Sequence, residues 1–122
     1  MGANVTICAP SYFKEEIYGA EFEENIDKAL VGANIVMCLR IQNERLEEAI
    51  SKEDFIRNYQ INSSNLPYNA ILMHPGPVNP GVEISRELLY SAKGKTILNQ
   101  AENGVFVRMA VLTKIFEEGR ND

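Results

Sequence analysis

The chain has 122 residues, of which 45% are hydrophobic and 24% charged, and its formal net charge is −5. That is enough for one domain around a single core, spanning residues 1–122. It contains no run of about 18 apolar residues that would make a membrane span, and its scattered Lys and Arg form no basic footprint for a nucleic-acid partner. The N-terminus lacks the basic and apolar regions of a secretory leader. Cys8 and Cys38 lie in apolar runs without a partner at metal-ligand spacing. They read as buried thiols in a reducing, cytoplasmic setting.

Residues 4–9 read as a short apolar strand stopped by Pro10. Ser11 can cap a short helix reaching about Tyr18, which Gly19 ends. Residues 21–23 suit a short extended piece, and residues 25–31 a helix ended by Gly32. Residues 33–39 form a near-continuous apolar run, the pattern of a strand buried on both faces of a parallel sheet. A polar exit follows at residues 40–45. Residues 46–59 are charged and helical, with Ser51 as a cap and Glu53 and Asp54 just inside it. Residues 63–65 make a turn. Residues 69–73 form a third apolar strand that stops at His74-Pro75-Gly76-Pro77. Residues 85–91 read as a short helix and residues 96–99 as a fourth strand. Residues 102–118 make the longest helix, whose apolar positions Val105, Met109, Leu112 and Phe116 recur at helical spacing. Strands alternating with helices predict an α/β fold with a mainly parallel sheet flanked by helices.

Ligands of open α/β sheets bind beyond the carboxyl ends of the strands. Two polar segments occupy such places. In the first, Arg40 offers a planar guanidinium fork to a carboxylate or phosphate. Gln42, two residues on, points to the same side of an extended chain. This pair suits an amino-acid ligand, and an ordinary surface ion pair with Glu44 is the alternative. In the second segment Pro75, Pro77 and Pro80 alternate with Gly76, Asn79 and Gly81. Each proline fixes φ and removes a donor. The carbonyls around Pro75 and Gly76 then become stiffly held acceptors for an NH2 group, unless the loop is simply a rigid turn. His74, the sole histidine, can act as a base or as a strand-end residue bonded to backbone; the second reading is favoured. No phosphate loop, dinucleotide fingerprint or metal cluster is visible, so no cofactor is expected.

The stretches Leu39-Arg40-Ile41-Gln42-Asn43-Glu44-Arg45, Ile71-Leu72-Met73-His74-Pro75-Gly76-Pro77-Val78-Asn79 and Asn103-Gly104-Val105-Phe106-Val107-Arg108-Met109-Ala110 together resemble the aspartate carbamoyltransferase family, in family order and spacing. The resemblance runs over essentially the whole chain and implies the Rossmann-like aspartate-binding domain. It implies transfer of a carbamoyl group from carbamoyl phosphate to L-aspartate in pyrimidine biosynthesis, without metal or cofactor. It implies that Arg40 and Gln42 bind aspartate and that the backbone at Pro75, Gly76 and Pro77 binds the carbamoyl end of carbamoyl phosphate. No residue of this chain is assigned a catalytic role. A cis Gly76–Pro77 peptide is expected from the same source.

Pro80 stands where many members have Arg. By the same comparison the chain starts after the first strand and helix of the domain and lacks the carbamoyl-phosphate domain. It is therefore expected to be inactive alone, and to repack, swap a strand with a copy of itself or take a complementary chain. Homotrimers are the family's assembly. A non-catalytic amino-acid-binding or interaction module with the same fold is the alternative.

Overall fold

The computed structural model describes residues 2–40 and 50–119. Strand β1 (Val5–Cys8) pairs in parallel with β2 (Ala20–Glu23). A single 3-10 turn at Ser11–Phe13 and an extended segment connect them. The predicted helix reaching Tyr18 does not form, because Lys14 is already extended and Gly19 takes φ 79° just before β2. Helix α1 (Ile26–Ala29) is capped by the Asn25 side chain, which accepts from the Lys28 N–H. Strand β3 (Ile35–Met37) follows.

Helix α2 (Lys52–Tyr59) starts where Ser51 accepts from the Asp54 N–H at 3.1 Å. The first four residues of the longer helix expected there, 46–49, lie outside the described residues. Strand β4 (Ile71–Met73) pairs in parallel with β3, Val36 lying opposite Leu72. Helix α3 (Arg86–Leu89) is capped by Ser85. Helix α4 (Lys95–Glu118) is the longest element.

The α/β class and parallel pairing match expectation, and three details do not. First, residues 96–99 belong to α4 rather than to a strand. Thr96 and Ile97 are β-branched and suggested one, but Ile97 buries into the core and the Thr96 hydroxyl bonds back to the Lys93 carbonyl. Second, β3 is covered on one side only. Cys38 is buried, whereas Ile35 and Met37 remain 58% and 47% exposed, because nothing among the described residues packs over them. Third, the strands form two separate pairs, β1–β2 and β3–β4, instead of one sheet. The apolar positions expected to seat the last helix, among them Val105, Met109, Leu112 and Phe116, are likewise exposed.

The core gathers beneath β4. Leu72, Ile84 and Leu88 are essentially inaccessible, and Ile61, Leu66 and Ile97 pack around them. Gly94 joins α3 to α4 inside this core. A Cβ there would collide with the Leu89 carbonyl oxygen and sit 2.8 Å from that of Leu88. Backbone cannot yield as a flexible side chain does. Gly94→Ala is therefore expected to lower the unfolding free energy by about 3 kcal/mol, the upper end for overpacking; urea unfolding of the two proteins measures it.

Candidate functional site at the carboxyl ends of two paired strands

Because β3 and β4 run parallel in register, their carboxyl ends emerge side by side. The Cys38 N–H donates to the Met73 carbonyl at 2.9 Å, just before both chains leave the sheet. This pairing brings Arg40 and the loop at Pro75, Gly76 and Pro77 to one sheet end, although 34 or more positions separate them. The Arg40 side chain is exposed there, as are Pro75, Gly76 and Pro77. Gln42 lies outside the described residues.

The loop after β4 is held from beneath by buried side chains. His74 is 2% exposed. Its Nδ1 accepts from the Gly76 N–H at 2.9 Å, which leaves the ring proton on Nε2. Nε2 then donates to Glu83 Oε1 at 3.1 Å. The same oxygen accepts from the Asn79 N–H at 2.7 Å. The Gln100 amide oxygen, on α4, accepts from the His74 N–H at 2.9 Å. On the far side of the loop, Gln60 Nε2 donates to the Gly81 carbonyl at 2.8 Å. Gly76 has φ 75°, in the left-handed region that favours glycine. The Gly76–Pro77 peptide is cis, as expected. The loop's inward N–H groups are thus occupied, while among the described residues nothing donates to the carbonyls of Pro75, Gly76 or Pro77.

His74 accordingly matches the backbone-bonded reading, with both ring nitrogens engaged inside the protein. Its acidic partner was missed. Glu83 follows nine residues later between apolar Val82 and Ile84, in a stretch too irregular for a periodicity argument. The signal available was an acid with apolar neighbours beside a loop containing the sole histidine. Gln100 was hidden by the misread start of α4.

Glu83 is 3% exposed, and its Oε2 has no hydrogen-bond partner. With Cys38 and Arg40 it lines a cleft of about 780 Å³. Burial, with a smaller push from the Glu83 carboxylate, raises the Cys38 thiol from 9.0 to about 12. The folded chain then keeps a proton that the unfolded chain loses near pH 9. This contribution is whole below pH 9 and is lost as pH rises through 12. Stability should therefore fall across that window, and fall less in Cys38→Ala; thermal unfolding at pH 8 and at pH 10.5 compares the slopes. Among the described residues no group of His, Cys, Asp and Glu is arranged to hold a metal, and no helix is long and apolar enough to cross a membrane.

Residues 1–115 match the family described as aspartate/ornithine carbamoyltransferase, Asp/Orn binding domain. The chain belongs to that family. It is 43% identical over 121 residues to the aspartate carbamoyltransferase catalytic subunit of Koribacter versatilis, covering 92% of this chain and 40% of that one. The corresponding subunit of Desulfosudis oleivorans is 40% identical over 119 residues, covering 91% and 38%. This carbamoyltransferase domain thus spans about 40% of the length of the curated relatives it matches. The ornithine carbamoyltransferase of Pyrococcus furiosus superposes with a TM-score of 0.74 at 21% identity, over 91% of this chain and 41% of the other, which shows a shared fold.

Proposed function

We propose that this domain supplies the L-aspartate-binding part of an aspartate carbamoyltransferase. In that reaction the aspartate amine attacks the carbonyl carbon of carbamoyl phosphate, a tetrahedral oxyanion forms, and phosphate leaves. The observation that carries the reading is the β3–β4 register, which puts a cationic fork and a set of unused carbonyls at one sheet end. Arg40 pairs with an aspartate carboxylate, and Gln42 assists it. The carbonyls of Pro75, Gly76 and Pro77 accept from the carbamoyl NH2. His74 and Glu83 hold this loop in place and take no proton from substrate. Positioning and charge stabilisation then account for the chemistry.

Aspartate is preferred to ornithine because a guanidinium with a nearby amide suits a second carboxylate, whereas an ornithine side-chain ammonium calls for an acid. The aspartate carbamoyltransferases at 40–43% identity support the same choice. Phosphate and the developing oxyanion need further cationic donors, which the remaining length of such a subunit would supply.

A chimera tests the reading. Residues 1–122 replace the matching region of the Koribacter versatilis subunit, and carbamoyl transfer is assayed with L-aspartate and with L-ornithine. Formation of carbamoyl-L-aspartate alone is expected. Transfer to ornithine overturns the specificity. A folded chimera that binds L-aspartate without transfer supports the non-catalytic alternative.

A further inference from the structure

We infer that the cleft between β1 and β3 is the seat of one further β-strand, an apolar segment of about five residues supplied by the part of a carbamoyltransferase subunit that these 122 residues do not span. This inference does not rest on the choice of L-aspartate as substrate.

The sheet has an open side and a closed one. Asn34 and Cys38 direct their backbone groups to β4, through Ile71 N–H to Asn34 O and Cys38 N–H to Met73 O. By strand alternation, the N–H and C=O groups of Ile35 and Met37 face the other way. The outer edge of β4 is already occupied by α4. The Thr96 hydroxyl donates to the Leu72 carbonyl at 2.6 Å, and Gln100 accepts from the His74 N–H. The β3–β4 pair therefore has its unused edge on the side of β1.

That unused edge meets a second one. The cleft is lined by all of β1 and β3 and has a volume of about 780 Å³. Among the described residues neither strand has a second hydrogen-bonded neighbour. The side chains beside it are apolar yet open: Val5, Ile35 and Met37 are 48%, 58% and 47% exposed. Two unpaired strand edges flanking one apolar cleft are complementary to an extended chain, which bonds through its backbone on both sides and inserts alternate side chains. Both existing pairs are parallel. A parallel insertion yields one sheet of order β2-β1-inserted strand-β3-β4.

A further observation points to an occupant. Glu83 lines the cleft, is 3% exposed, and leaves Oε2 without a partner. Buried carboxylate oxygens are rarely left unbonded, so the incoming segment should bring a hydrogen-bond donor to that end. A source lies in the relatives' greater length, of which this chain matches about 40%.

Peptides of about twelve residues, tiling the unmatched part of the Koribacter versatilis subunit, are mixed with the 122-residue chain and followed by hydrogen exchange. One apolar peptide is expected to bind one-to-one. It should slow exchange of the Ile35, Met37 and β1 amides more than tenfold, with a smaller effect at Cys38, already bonded to β4. N-methylation at the middle of that peptide should abolish the protection. Failure of every peptide to protect these amides overturns the proposal. So does protection of the same amides in a peptide-free dimer, which would assign the cleft to a second copy.

Discussion

Glu83→Leu is expected to lower the unfolding free energy by roughly 3–5 kcal/mol, the cost of breaking a buried pair by removing one partner. One carboxylate oxygen serves two donors, the His74 ring N–H and the Asn79 backbone N–H. Leucine strands both in a region from which water is excluded, at about 1–3 kcal/mol for each unsatisfied group. Glu83→Gln keeps an oxygen for both donors and replaces the unpartnered one with an amide, so it should lose far less. Urea unfolding of the three proteins decides. If leucine costs under about 1 kcal/mol, the loop is not clamped from below as described. A double-mutant cycle with His74→Leu should show strong coupling, since removing both partners leaves only Asn79 stranded.

Arg40→Leu, made in the chimera, should reduce kcat/KM for L-aspartate by at least about 100-fold, which corresponds to the upper range for a hydrogen bond to a charged group. Arg40→Lys retains charge but loses the planar fork, so it should recover only part of this. Fold stability should stay within about 0.5 kcal/mol, as expected for an exposed side chain. That contrast separates ligand binding from a structural role. A loss under fivefold, with saturation by aspartate unchanged, would remove Arg40 from the aspartate site.

The strands and the shorter helices were legible because apolar runs and capping residues act locally. Asn25, Ser51 and Ser85 each accept from the N–H three residues on, and each opens the helix its sequence announces. Arg40 and the Pro75 loop were legible as strand exits, and their adjacency followed once the strands paired in parallel. What stayed hidden depends on contacts distant in sequence. The clamp on His74 requires Glu83 and Gln100, which converge only after β4 and α4 pack. Thr96 and Ile97 carry strand propensity, and tertiary bonding to Leu72 and Lys93 overrides it. The exposure of Ile35, Met37 and the α4 stripe was invisible for the opposite reason. An apolar pattern states that a face seeks cover, not whether that cover lies in the same polypeptide.

The attachment of α4 to β4 has a mechanical meaning. Thr96 and Gln100 are one helical turn apart, about 6 Å along the axis. Their partners, Leu72 and His74, are two strand residues apart, about 6.6 Å. The two rulers nearly match, so both bonds form at one setting of helix against strand and both are lost if the helix slides. A push along α4 is thereby delivered to the His74 backbone and on to the neighbouring carbonyls. Whatever comes to rest on the uncovered apolar flank of that helix holds a lever on the loop, with the strand as its fulcrum.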